Sequence, residues 1–269
     1  MRAKPIAALI ALLMLAMPAL AWGNEGHRVV ALIAAGRLTP AAKAQVADLL
    51  DTPDAAAAME NVASWADDIR YGRPETAPWH FVDIEIATNG YNAAADCANG
   101  DCVVAQIHKD IAILKDKSLA KPVRAEALKF LIHFAGDIAQ PLHCADNHDR
   151  GGNQVIVYAA GKRTNLHAIW DTAVVNALGS DAGQVAAQLS PRITPAEAAQ
   201  WSASTPEQWA GESFVIAKQQ IYTEFPGSGA TPAPIVLPPD YPARMAPIAA
   251  AQLAKAGVRL AAVLNETLK

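Results

Sequence analysis

Residues 124–143, RAEALKFLIHFAGDIAQPLH, decide the fold class. Apolar side chains recur there at helical spacing as far as Ile138, and Pro141 stops the segment shortly after. Inside this apolar run stand His133 and Asp137, four residues apart and so on one helix face. The pair recurs as His167 and Asp171 in a second helical segment, residues 167–178, again among apolar neighbours: Leu166, Ile169 and Trp170. Burying a carboxylate beside an imidazole is costly unless a cation at their focus compensates. One His-x-x-x-Asp pair is commonplace on a helix surface; two in apolar surroundings point to a metal.

Working outward, the same periodicity predicts helices over residues 29–38, 41–50, 103–114, 206–225 and 247–268, with Pro40, Pro122 and Pro206 near helix starts. A short extended pair is expected over residues 154–159 and 163–165, turning through Gly161. Residues 226–246, rich in Pro and Gly, read as a long irregular connection over the surface. Nothing divides the chain, so the expectation is a mainly all-α protein: one compact helical domain with a small β-hairpin.

Residues 1–21 read as a secretory signal peptide. Arg2 and Lys4 form a basic start, an apolar run follows from Ile6 to Ala16, and Ala19-Leu20-Ala21 is a small-x-small cleavage site. The domain then covers residues 22–269, and the destination is secreted or periplasmic. The whole chain has 22 basic and 26 acidic side chains; without Arg2 and Lys4, 20 remain against 26, a net charge of −6. That balance excludes a polybasic binder that holds nucleic acid by a general basic surface. Export also favours a disulfide between Cys97 and Cys102 across the turn-forming Ala98-Asn99-Gly100-Asp101. Cys144 is left over as a buried free thiol, an intermolecular partner or a weak metal ligand.

Further polar residues stand in apolar settings. Asp67, Asp68 and Arg70 follow Trp65, and His80 lies between Trp79 and Phe81, where a satisfied core histidine is the competing reading. Cleavage before Trp22 would expose an α-amino group that, with its own carbonyl oxygen, forms a five-membered chelate, and His27 lies five residues on across Gly23-Asn24-Glu25-Gly26.

Together these motifs carry a family resemblance. Trp22-Gly-x-x-Gly-His27, Ser64-Trp-Ala-Asp67-x-x-Arg70, Trp79-His80-Phe-x-Asp83, His133-x-x-Gly136-Asp137-x-x-Gln140-Pro-x-His143, Gly151-Gly-Asn153 and Asn165-Leu-His167-x-x-Trp-Asp171 resemble, in order, the zinc-dependent single-strand-specific type I nucleases. The resemblance implies three Zn2+ ions: one held by Asp67, His80, His133 and Asp137, a second by His143, His167 and Asp171, and a third by Trp22, His27 and Asp137. Donors of nitrogen and oxygen without thiolate suit hydrolytic zinc. Three zinc ions and the three ligand carboxylates Asp67, Asp137 and Asp171 leave a local charge of about +3 facing phosphate. His108 and His148 keep an ordinary surface role.

The resemblance further implies hydrolysis of single-stranded RNA and DNA to 5′-phosphate products by metal-activated hydroxide, with 3′-nucleotidase activity. Asp67 would orient the nucleophile and Arg70 would hold a phosphate oxygen. Phe81, Asp83, Gly152 and Asn153 would form a nucleobase pocket, core packing being the competing reading for Phe81. A monomer without a membrane anchor is expected. Two rival readings stand beside this one: a head-group hydrolase similar to bacterial zinc phospholipases C, and a non-enzymatic zinc-binding periplasmic protein, in which Arg70 would be expendable.

Overall fold

Five helices in this chain start where a short polar side chain meets a proline or an alanine run. The computed structural model describes residues 22–225 and 234–269, so the expected leader and residues 226–233 lie outside the described residues. Among the described residues α1 (Asn24–Ala35), α2 (Pro40–Leu49), α3 (Ala55–Val62), α4 (Trp65–Ile69), α5 (Ala93–Asp96), α6 (Val103–Lys115) and α7 (Lys121–Asp137) come first. The strands β1 (Ile156–Ala159) and β2 (Lys162–Asn165) follow, then α8 (Leu166–Ala168), α9 (Ala182–Leu189), α10 (Pro195–Ser202), α11 (Pro206–Ile216), β3 (Ile235–Val236) and α12 (Tyr241–Thr267). Thr39 caps α2 by accepting from the Ala42 amide with Pro40 at the first position, and Asp54 accepts from Ala56 and Ala57 at the start of α3. Capping boxes, Thr194 with Glu197 and Thr205 with Gln208, open α10 and α11. The fold is mainly α, as the periodicity implied, with helices α3, α4, α5, α9 and α10 added to those expected.

The core forms around α7. From Ala127 to Asp137 every residue except Lys129 is buried, which is the pattern of a helix covered on all sides. Helix α6 packs along it, while α1 lies against α12, α3 and α9 and also touches α7. Helix α12 is long and apolar enough to cross a membrane by length and composition alone, and 61% of its most apolar stretch is buried inside this fold.

Two expectations about the C-terminal part are corrected. The helix expected from residue 247 begins at Tyr241, with Pro247 inside it. Tertiary contacts outweigh the proline penalty: the Tyr241 hydroxyl accepts from Trp170 Nε1 at 3.1 Å, and Arg244 forks onto Glu224 at 3.1 and 3.0 Å. The expected hairpin exists, Ile156 opposite Asn165, but it gains a third strand: Ile235–Val236 pairs parallel to β1 within the stretch expected to be irregular.

Candidate metal centre

Five separate pieces of backbone meet at one point. Helix α1 brings His27, α4 brings Asp67, a 3₁₀ turn over Pro74–His80 brings His80, α7 brings His133 and Asp137, and a 3₁₀ turn over Pro141–His143 brings His143. Helix α8 adds His167 and runs into a π-helical turn, Ile169–Val174, that holds Asp171; such turns gather at functional sites. All eight residues are at least 95% buried.

Asp137 is the hub. Its carboxylate lies 2.9 Å from His80 Nδ1, 3.2 Å from His133 Nε2, 3.5 Å from His27 Nε2 and 3.6 Å from His143 Nδ1. Asp67 stands 3.7 Å from both His80 and His133. In the neighbouring group His167 Nε2 faces His143 Nε2 at 3.2 Å and Asp171 Oδ2 at 3.4 Å. The i, i+4 relations read from the sequence are therefore contacts in the fold.

Backbone carbonyls aim the rings. His133 Nδ1 bonds Ala63 O at 2.7 Å, His143 Nδ1 bonds His80 O at 2.8 Å and His167 Nδ1 bonds Gly151 O at 2.6 Å. As the donor in each bond, Nδ1 carries the proton and leaves Nε2 as a lone pair for a cation. Gly151 has no alternative at its position, because φ is +60° and a Cβ would stand 2.4 Å from Leu142 O. Gly136 does the same for helix contact: a Cβ there would meet His27 Nδ1 at 2.7 Å, whereas the glycine lets His27 stack on His133 with ring centroids 3.8 Å apart.

Charge within the cluster is unbalanced. Burial drives His27 well below its ordinary value, and burial with the neighbouring His143 takes His167 down to about 3. Burial pushes Asp171 well above the carboxylate range, although Gln140 Nε2 donates to it at 2.8 Å. Burial also opposes charge on His133, but Asp137 and Asp67 outweigh it and raise the imidazole to about 9. Both nitrogens of His27, Asp137 Oδ1 and Asp171 Oδ2 are buried without a hydrogen-bond partner. Three groups of donors fit metal ions: His27, Asp67 and His133; His80, His133 and Asp137; His143, His167 and Asp171. Donors at 2.0–2.1 Å from a tetrahedral zinc lie roughly 3.3 Å from one another, within the spacings seen here.

Arg70 sits at the edge of the cluster, its guanidinium 2.8 Å from Asp67 Oδ1. Residues 82–86 run alongside His143–Asp146, through Val82 N to His143 O and Asp146 N to Ile84 O at 2.8 and 2.9 Å. This lays Asp83 against the loop that ends in Gly152 and Asn153. Partial burial, with Asp146 close by, raises Asp83 to about 6. Phe81 is 36% exposed, so plain core packing is not its role. Trp22 is fully buried, and the next amide, Gly23 N, bonds Asp171 O at 2.7 Å, which draws this part of the chain to the second group.

His108 and His148 lie apart from the centre, paired with Glu207 at 2.8 Å and Glu85 at 3.3 Å. Cys97 and Cys102 form a disulfide, and Cys144 is a fully buried thiol bonded to Ile138 O. Gln140, quoted above only as part of a motif, ties Asp171 to the Leu142 amide; a polar residue just before a proline was the available signal.

A buried, thiolate-free set of imidazoles and carboxylates sharing one central aspartate, with an arginine at its edge, defines a multinuclear metallohydrolase. The S1/P1 Nuclease family model matches residues 22–269, and the chain belongs to that family. It is similar to Endonuclease 2 of Arabidopsis thaliana, 30% identical over 263 residues, covering 91% of this chain and 89% of that protein. Nuclease S1 of Aspergillus oryzae is 37% identical over 179 residues, 64% of this chain and 60% of its own length. Nuclease P1 of Penicillium citrinum is 35% identical over 156 residues, 56% of this chain and 57% of its own. The protein is thus a zinc-dependent hydrolase of phosphodiester bonds, and the phospholipase reading is not favoured.

Proposed function

We propose that the mature chain, beginning at Trp22, hydrolyses single-stranded RNA and DNA to 5′-phosphate products, removes phosphate from 3′-nucleotides, and works as an exported monomer without a membrane anchor. The observation that carries this reading is Asp137, a fully buried carboxylate with four imidazoles within 3.6 Å. Asp67, His80, His133 and Asp137 would hold one zinc, His143, His167 and Asp171 a second, and Trp22 with His27 and Asp137 a third. Bound zinc supplies Lewis acidity at the phosphoryl and leaving oxygens and lowers the pKa of water from about 16 toward 7.

This chain's own residues do the rest. Asp67 orients the attacking water, and Arg70 hydrogen-bonds a phosphate oxygen as charge grows on it. Water oxygen bonds to phosphorus, the bond from phosphorus to the 3′ oxygen breaks, and the proton released ends on the 3′ hydroxyl. Phe81 offers an exposed ring for stacking, and Asp83, Gly152 and Asn153 offer polar atoms to the base edge; stacking needs an unpaired base, which accounts for single-strand preference.

The test compares protein with native cleavage at Trp22 against protein carrying one extra N-terminal residue, for zinc content and for hydrolysis of RNA, 3′-AMP and phosphatidylcholine. Loss of about one zinc and of nuclease activity in the extended form is expected. Equal zinc and activity in both forms would refute the terminal chelate, and lipid hydrolysis without nuclease activity would refute the substrate. Arg70→Ala should lower turnover about 10²-fold with zinc content unchanged.

A further inference from the structure

Beyond the metal centre, α10, α11 and α12 frame a pocket of about 750 Å3 whose lining includes none of the metal-centre residues. That volume lies inside the range of small-molecule sites, ~300–1,000 Å3. Trp201, Val215 and Ile216 give it apolar walls, and Val215 stays 43% exposed in the folded chain. Lys255 and Arg259, one turn apart on α12, give it a basic side.

Charge on that side is unbalanced. Glu212 is the one acid among the lining residues, and its Oε2 faces both cations, 3.1 Å from Lys255 Nζ and 2.7 Å from Arg259 Nη2. Two cations against one carboxylate leave one positive charge over. Arg259 is 2% exposed, an unusual depth for a guanidinium, and burial works against its charge. Its Nε donates to Ser204 Oγ at 3.2 Å, while Nη1 is buried without a hydrogen-bond partner. Trp209 closes another side, its ring centroid 5.5 Å from the guanidinium carbon. A charged donor left unmatched costs more than a neutral one, and what this wall lacks is an anion.

We propose that the pocket binds a small amphiphilic monoanion, a carboxylate on an apolar body, with the carboxylate shared between Arg259 and Lys255 and the body against Trp201, Val215 and Ile216. The match is one of charge as well as surface. One carboxylate cancels the single excess charge, whereas a phosphate monoester, about −2 at neutral pH, overshoots it. Inorganic phosphate would leave the apolar walls bare, and a metal ion would be repelled by both cations. The two oxygens of a carboxylate also suit the planar N–H fork of an arginine.

The experiment is isothermal titration calorimetry on zinc-loaded protein with its native N-terminus, using octanoate, 1-octanol and inorganic phosphate as probes. Two variants accompany it. Lys255→Met removes the charge at similar side-chain length, and Val215→Trp fills the pocket from its exposed apolar wall. Octanoate should bind at one site with 1-octanol about tenfold weaker, and each variant should raise the octanoate Kd about tenfold, equivalent to ~1.4 kcal/mol. Hydrolysis of RNA by both variants should match that of the parent. Octanoate binding that neither variant weakens would put the carboxylate on zinc or elsewhere and overturn the proposal. Equal affinity for 1-octanol would show a cavity that reads no charge, and phosphate binding as tight as that of octanoate would show one that reads charge alone; either result overturns it. So does the absence of saturable octanoate binding at millimolar concentration. Should one variant fail to fold, the other decides alone.

Discussion

Asp110→Asn should stabilise the protein, and by an amount that grows with pH. In the folded chain burial raises the Asp110 carboxyl from about 3.8 to about 8, with Lys109 lowering it and Glu126 raising it by smaller amounts. A group whose folded pKa lies above its unfolded value contributes stability in full below the unfolded pKa, and loses it as pH rises toward the folded one. Wild-type protein should therefore lose about 1.4 kcal/mol per pH unit between pH 4 and pH 8 through this residue. At pH 5.5 the accumulated loss is about 2 kcal/mol, and at pH 7 about 4 kcal/mol, levelling off near pH 8. Asparagine has nearly the same shape and cannot ionise, so it escapes this loss. It keeps a buried polar group, whose cost of ~1–3 kcal/mol does not vary with pH. The assay is urea unfolding of zinc-saturated wild type and variant at pH 5.5 and pH 7.5, where zinc linkage is common to both and cancels in the difference. A gap between the two proteins that stays constant across this range would refute the assignment of a buried, proton-binding carboxyl. A gap that widens by ~2 kcal/mol or more would support it.

Two further outcomes test the scaffold. Reducing the Cys97–Cys102 disulfide, which closes a loop with a sequence separation of 5, should lower stability by about 2 kcal/mol, measured as a shift in urea midpoint with and without reductant; an unchanged midpoint would mean that the loop is held by its turns alone. Gly136→Ala should push a methyl group into His27 and expel the zinc that His27 serves, at an overpacking cost of ~1–3 kcal/mol. Zinc analysis of the folded variant should show about one ion fewer, and full zinc with full activity would contradict the role given to the α1–α7 contact.

The gathering of candidate metal donors was legible in the sequence because the two His–Asp pairs obey local rules. His133 with Asp137 and His167 with Asp171 stand at helical spacing, and helix geometry alone brings each pair to 3.2 and 3.4 Å. What joins them is long-range and left no such periodic mark. Gly136 matters only because α1 crosses it with His27, and the carbonyls of Ala63, His80 and Gly151 aim their imidazoles from segments far apart in sequence. The π-helical turn around Asp171 has no signature that separates it from an ordinary helix. The start of α12 was misplaced because Pro247 is a sound local stop signal, overridden by Tyr241 and Arg244, whose partners lie 71 and 20 residues away. Asp110 escaped notice for the opposite reason: an acid on a mostly polar helix turn reads as solvent-facing, and only the packing of α6 on α7 buries it.

The acidic total of the chain, −4 over all residues, also takes on a different meaning once the cluster is drawn. Without metal the centre is frustrated: burial keeps His27, His80 and His143 below their ordinary imidazole range, Asp137 and Asp67 draw His133 alone toward the charged form, and both nitrogens of His27 with Asp137 Oδ1 are buried without a hydrogen-bond partner. Cations satisfy every one of these groups at once, so zinc binding and the closing of the fold around α7 reinforce each other. The same ions change where charge counts. Exposed acids spread over the surface repel a polyanion weakly through water and salt, whereas a local excess of about +3 in a buried cleft acts at short range with little screening. An acidic protein that cuts nucleic acid is therefore no contradiction. On the proposed reading, stacked bases and metal-bound phosphate would hold the strand instead of a basic groove.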